Sequence, residues 1–317
     1  MKLNEITIEI TQQCPNQCVH CSSRSCPTKT TCLPLQTVVE VVDDAVALGC
    51  ESISLSGGEP FLHPELPQIV NHIAKYNIQC NIYTSGICYV EGESMAVPMG
   101  ILESLKGKVW KYIVNVESSD EATYDKIMGT SFQGFDMMKH FISNAVTLGE
   151  VVEAHFVPMK LNYRQIPFVV EMCNQLGVSK VSFLRFVVQG RGLENEKDLL
   201  LDDYEMSEAH RLMRECAEKN SDGIRLGIPF SECKGKTSCL TGTIKLDVRY
   251  DGNVYPCEAF KNDQLDEIFQ INADNVHRMP LIDIYHNSTY LQRVREMLDK
   301  YQSCNACETC MAQYLKK

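Results

Sequence analysis

Cys14, Cys18 and Cys21 crowd into the run CPNQCVHC, a few positions after a short β-rich stretch, ITIEIT. Thiolates this close together bind metal, and two solutions fit the spacing. A structural zinc ion wants four side-chain ligands, so a distant fourth residue would have to complete the set. A [4Fe–4S] cube has four irons, and three cysteines leave one of them open to a substrate or cofactor; the missing ligand is then the purpose of the arrangement. The position directly after a strand is where α/β barrels build their reactive sites.

A second set of thiols occupies the last third of the chain. Cys239 and Cys257 flank the hairpin signal Asp251-Gly252 in the form Cys-x12-Gly-x4-Cys, and CNACETC adds Cys304, Cys307 and Cys310. Cys233 lies just before this set, while Cys26 and Cys32 follow the first one and read as plain loop thiols rather than a third cluster. Cys50, Cys80, Cys88, Cys173 and Cys216 stand alone and read as small buried hydrophobes.

The opening MKLNEITIEITQQ lacks the basic-then-apolar layout of a signal peptide, and no apolar run approaches the roughly 20 residues that span a bilayer. A cytoplasmic, membrane-free protein is expected. Sixteen cysteines in that compartment favour metal or cluster ligation over disulfides. A formal charge of −11 without a concentrated basic face argues against nucleic acid as a partner.

These thiols must be positioned by a scaffold, and its pattern is regular. Short β-rich runs alternate with amphipathic helical stretches from residue 5 to about 220, an order that predicts parallel strands joined by crossover helices. The strands are ITIEIT, ESISLS, QCNIYTS, VWKYIVNVES, VVEAHFVPM and VSFLRFVV, and the last helix is DYEMSEAHRLMRECAEK. Six units fall short of the eight of a closed barrel, so a partial (β/α)6 TIM barrel is expected over 1–222. A small cysteine-rich hairpin and helix extension follows over 223–317.

Two motifs now converge. Cys-x-x-x-Cys-x-x-Cys after the first strand, and SGGEP after the second, together resemble the radical S-adenosylmethionine (SAM) superfamily. The resemblance implies that Cys14, Cys18 and Cys21 hold a [4Fe–4S] cluster whose open iron takes the amino and carboxylate groups of SAM. His20 stands where the family usually has an aromatic residue. Gly57, Gly58, Glu59 and Pro60 match the segment that approaches the methionyl amine, with Glu59 as its acceptor. YTSG at 83–86 sits where the family often has Thr-Asn-Gly. Asn115 stands where a serine often contacts the ribose, and Arg185, in LRFVVQGRG, is expected near SAM. A satisfied strand-end amide and a salt-bridged arginine are the structural alternatives for Asn115 and Arg185.

The tail resembles the twitch or SPASM extension, which binds auxiliary iron–sulfur clusters. One auxiliary [4Fe–4S] cluster is expected, held by Cys239, Cys257 and two of Cys304, Cys307 and Cys310, with Cys233 able to replace one; structural zinc is the alternative. Enzymes with this extension most often modify ribosomally made peptides, so a peptide is the expected substrate. The first cluster motif comes too early to leave room for an amino-terminal leader-gripping module, so either a separate protein delivers the peptide or the substrate is small. Flavodoxin or ferredoxin is the implied electron donor. The alternatives are dehydrogenation of a small aminosugar or alcohol and, from a different class, a non-enzymatic zinc-binding adaptor. No residue is assigned to quench or deprotonate the substrate radical; Tyr83, Glu153 and Cys173 are the ones that could face the cavity.

Overall fold

The computed structural model describes residues 2–90, 92–130, 133–227, 230, 239–261 and 270–300, with residues 299 and 300 described by their backbone alone. Cys233, Cys304, Cys307 and Cys310 lie outside them. One sheet organises the described chain, in the order β11-β10-β1-β2-β3-β6-β7-β8-β9. Its strands are β1 (Glu5–Thr11), β2 (Ser52–Gly57), β3 (Gln79–Thr84), β6 (Lys111–Asn115), β7 (Val152–Phe156), β8 (Lys180–Phe183), β9 (Ile224–Leu226), β10 (Lys245–Val248) and β11 (Val254–Tyr255). All neighbours are parallel except β10 and β11, the two arms of the hairpin around Asp251-Gly252.

Strands of a parallel sheet covered on both faces usually read as unbroken apolar runs. These alternate instead. Ile6, Ile8 and Ile10 of β1, Ile53 and Leu55 of β2, and Val181 and Phe183 of β8 are buried in the apolar core. The residues between them, including Glu5, Thr7, Ser52, Ser54, Asn81, Glu153 and His155, line an internal cavity of about 750 Å³. The sheet therefore curls around a polar lumen, and the period of two in each strand serves both surfaces.

Amphipathic helices close the apolar side. In α1 (Leu35–Ala47), Val38, Val41, Val42 and Ala45 are buried, the spacing of one helical face. Leu66, Ile69, Val70 and Ile73 repeat it in α2 (Leu66–Ile73). Cys173 faces the core from its helix, Ile166–Gln175, and lies away from the lumen.

Three features were not expected from the sequence. A hairpin of β4 (Ile87–Val90) and β5 (Glu93–Ala96) follows β3. Strand β9 adds a further parallel strand to the barrel side. Finally, β10 pairs in parallel with β1, Glu5 against Lys245 through Ile8 against Val248. The strands beyond residue 222 thus belong to the same sheet as those before it.

Candidate active site

At the carboxyl end of β1 the chain enters the three-cysteine loop. Cys14, Cys18 and Cys21 line one cavity of about 240 Å³, together with Gly57 and Gly58 from the end of β2, Thr84 and Ser85 from β3, and Asn115 from β6. The loop is held by backbone bonds to its neighbours. Gln17 N–H donates to Met128 O (3.1 Å) and Val19 N–H to Ile127 O (2.9 Å). Arg191 is a second clamp: its Nε donates to Cys18 O (2.8 Å) and its Nη2 to Ser25 O (2.7 Å), while its N–H meets Cys21 O (2.9 Å).

The Gly57-Gly58 segment packs backbone to backbone on the same loop. Gly58 N–H donates to Thr11 O (2.6 Å) and Glu59 N–H to Gln13 O (2.7 Å). A Cβ on Gly58 would lie 2.0 Å from Gln13 O, and Gly57 has φ +130° with a Cβ position 2.2 Å from Thr11 O. Only glycine fits either position.

Glu59 and Pro60 stand behind this wall and do not line the cavity. The fully buried Glu59 carboxylate accepts from Thr84 Oγ1 (2.6 Å), Ser85 Oγ (2.6 Å), Ser85 N–H (2.8 Å) and Phe61 N–H (3.3 Å). Its acceptor sites are thus used in tying the β2 and β3 ends together. Burial pushes its pKa up to about 7 despite those bonds. His20 and Asn115 do line the cavity, and both meet Glu117: His20 Nε2 lies 3.5 Å from Glu117 Oε1, and Asn115 Nδ2 donates to the same atom at 3.4 Å. Burial lowers the His20 pKa to about 4, and the Arg191 charge adds to that effect, so the ring is neutral at pH 7.

Arg185 is half-buried and is not among the residues lining the cavity; Arg191, six residues on in the same GRG stretch, holds the loop instead. Asn16, Ser25, Glu117 and Lys261 also belong to this site and were not singled out from sequence. Asn16 sits inside the cysteine motif, a signal that was available. Lys261 had none: it reaches the cavity from the hairpin region and pairs there with Glu9. Gln12 Nε2 donates to Tyr250 OH (2.7 Å), and Gln189 Nε2 to Glu258 O (2.7 Å), so the region after the barrel is bonded to the cavity wall at several points.

The cavity's own chemistry calls for a charged and polar guest. Asn16 Nδ2 and Oδ1, His20 Nδ1 and Ser25 Oγ are buried without a hydrogen-bond partner, an uncommon concentration of unmatched donors and acceptors. Burial pushes the Cys14 and Cys18 thiols well above their ordinary range, and each is raised further by neighbouring cysteines. Several thiolates here need a cationic centre among them. Cys14, Cys18 and Cys21 all line this one cavity, and three thiolates supply the protein ligands of a [4Fe–4S] cube that keeps one iron open.

The model of the Radical SAM superfamily matches residues 8–167. The chain belongs to the radical SAM superfamily. A second model, described as an iron–sulfur cluster-binding domain (SPASM), matches residues 239–311. As a radical SAM enzyme the chain uses SAM with a [4Fe–4S] cluster, and its C-terminal part carries auxiliary iron–sulfur binding. The zinc-adaptor alternative loses its basis with these matches.

A PqqA peptide cyclase of Gluconobacter oxydans is 24% identical over 310 residues, 95% of this chain and 81% of that protein. The PqqA peptide cyclase of Methylorubrum extorquens is 26% identical over 257 residues, and the match spans 65% of that relative's length, just under two thirds. Among solved structures, Streptococcus suis SuiB bound to its precursor peptide SuiA superposes with a TM-score of 0.76 at 15% identity, over 100% of this chain and 73% of that one. At that identity the likeness establishes the fold, a radical SAM partial barrel. No helix among the described residues is long and apolar enough to cross a membrane.

Cys239 and Cys257 are both half-buried, at the base of the β10–β11 hairpin. Burial pushes the Cys257 thiol up to about 12, with Glu258 adding to the shift.

Proposed function

We propose that this chain modifies a ribosomally made peptide by radical chemistry. One observation carries the proposal: Ser56, Tyr83 and Asn115 line both the 240 Å³ thiol cavity and the 750 Å³ lumen. The site therefore opens into a polar shaft with room for a short stretch of peptide. The similarity to PqqA peptide cyclases and the shared fold with SuiB, which was solved with a precursor peptide, support the same reading.

In this proposal Cys14, Cys18 and Cys21 hold the [4Fe–4S] cluster, Gly57 and Gly58 admit the methionyl part of SAM, and Asn16, Ser25 and Asn115 supply polar contacts. With cluster and SAM bound, the site would supply one-electron chemistry for taking a hydrogen atom from the substrate. Arg191 ties down the Cys18, Cys21 and Ser25 carbonyls of the loop, and neutral His20 stays braced on Glu117. Cys239 and Cys257, with partners among Cys233, Cys304, Cys307 and Cys310, hold an auxiliary cluster in the unit after residue 222. A flavodoxin or ferredoxin as donor, a separate leader-binding protein and a cytoplasmic location belong to the same proposal.

The test is anaerobic incubation of reconstituted protein with SAM, dithionite and candidate precursor peptides. A peptide that loses hydrogen in step with 5′-deoxyadenosine release is the expected result. Release driven by an aminosugar or alcohol, with every peptide inert, would replace the peptide assignment with small-molecule dehydrogenation.

A further inference from the structure

The lumen below the thiol cavity is not evenly charged. On the β6–β9 wall, Lys111, Lys180 and Arg225 line the lumen together with one carboxylate, Glu153. Lys111 Nζ lies 2.5 Å from Glu153 Oε2 and Arg225 Nη2 lies 3.6 Å from Oε1. Ser182 Oγ and His155 Nε2 complete its partners, so Glu153 is an anion held far below the usual carboxylate range. Among the described residues no carboxylate pairs with Lys180. Three cations against one anion leave this wall with a surplus of positive charge, in a chain whose formal charge is −11. Across the lumen the balance reverses: Glu5 and Glu258 face one Lys245, at 3.4 and 3.1 Å from its Nζ.

We propose that the β6–β9 wall is the substrate's specificity pocket and that Lys111, Lys180 and Arg225 hold a carboxylate of the substrate. This deepens, and rests on, the peptide assignment above. Geometry sets the distance to the reaction. Lys111 and Asn115 open and close β6, and four residues at ~3.3 Å each put the cations about 13 Å below the thiol cavity. An extended peptide crosses that length in about four residues. The attacked residue then lies three or four positions from the carboxylate. The anion comes either from a free C-terminus threaded into the lumen or from an acidic side chain.

The test uses full-length protein purified anaerobically and three probes followed by saturation-transfer NMR: N-acetyl-tetraalanine as free acid, its C-terminal amide, and the amide of N-acetyl-Ala-Ala-Glu-Ala. At least one carboxylate peptide should bind about tenfold more tightly than the all-alanine amide, as a charged hydrogen bond at a half-open site gives; which one does so identifies the source. Lys180→Met should remove most of that preference while leaving amide binding as it was, and Lys180→Arg should restore it. Lys180 is the informative position because its removal leaves the buried Glu153 network intact. Equal binding of all three probes, or a preference that survives Lys180→Met, overturns the pocket. If no probe binds yet a precursor peptide still drives 5′-deoxyadenosine release, the pocket falls and the peptide assignment stands. If no precursor peptide drives release, the peptide assignment falls, whatever the probes do.

Discussion

The thiol cavity and the lumen share a wall but are built from different materials. Backbone amides, glycines, thiols and small polar groups line most of the first; the second adds three lysines, an arginine and three carboxylates to its hydroxyl and amide side chains. A site for an invariant cofactor can rely on the main chain, whose geometry each new sequence repeats. A site for one particular substrate must rely on side chains, which can be exchanged without disturbing the fold. The boundary between the two falls at Ser56, Tyr83 and Asn115.

This contrast can be broken at its strongest point. Cys18→Ala should remove the first cluster and abolish 5′-deoxyadenosine formation, as read by anaerobic absorption spectroscopy and product chromatography. A full cluster and normal turnover in that variant would end the ligand assignment. Cys257→Ala should leave some SAM cleavage and stop product formation.

Next in size is Gly58→Ala, which tests whether the cavity depends on the main chain. Its methyl group has no room beside Gln13 O, and overpacking against backbone costs about 3 kcal/mol. A fall in thermal midpoint with weakened SAM binding is expected. An unchanged midpoint would mean that the segment can move.

Glu153→Gln probes the side-chain half. The wild-type carboxylate is held below its ordinary pKa by His155, Lys111 and Ser182. Its stabilisation is therefore complete above the unfolded value of about 4.3 and fades as pH falls below it. The variant should lose about 2 kcal/mol at pH 7, since Lys111 is partly solvated, and its deficit should shrink in acid. Denaturant titrations at pH 7 and pH 4 decide this, and a deficit that does not change with pH rules the ion network out as its cause.

The smallest effect is expected at the β1–β10 edge. Both Asp247 carboxylate oxygens are buried without a partner, and burial with Glu9 nearby raises the group well above the carboxylate range. Such a group opposes folding as pH rises above about 3.9, the value of the unfolded chain. Asp247→Asn should gain about 1 kcal/mol at pH 7, visible as a higher thermal midpoint, with the gain disappearing below pH 3.9. A loss of stability at pH 7 would mean that the ionised form is favoured there.

Much of the scaffold was legible because its signals are local. The period of two in ITIEIT, the 3.6-residue repeat of Val38, Val41, Val42 and Ala45, and the cysteine spacing all lie within a dozen residues. The pairing of β10 with β1 joins residues some 240 positions apart, as Glu5 with Lys245, and carries no local mark. Arg191 was overlooked beside Arg185 because only the folded loop reveals which of two nearby arginines reaches the cysteine carbonyls. Of the three residues considered for the cavity, Tyr83 and Glu153 point inward by strand alternation. Cys173 lies on a helix, where a buried face means core. The charge imbalance of the lumen was beyond reach, since it depends on the register of four adjacent strands.

The parallel seam between β10 and β1 has a consequence for anyone trimming this protein. Without the later strand, β1 would present a row of open amides and carbonyls flanked by Ile6, Ile8 and Ile10, a template for pairing with other chains. Removing the tail would do more than delete a cluster-binding region: the remaining barrel would be prone to self-association, and an inactive truncation would say nothing about what the auxiliary cluster does.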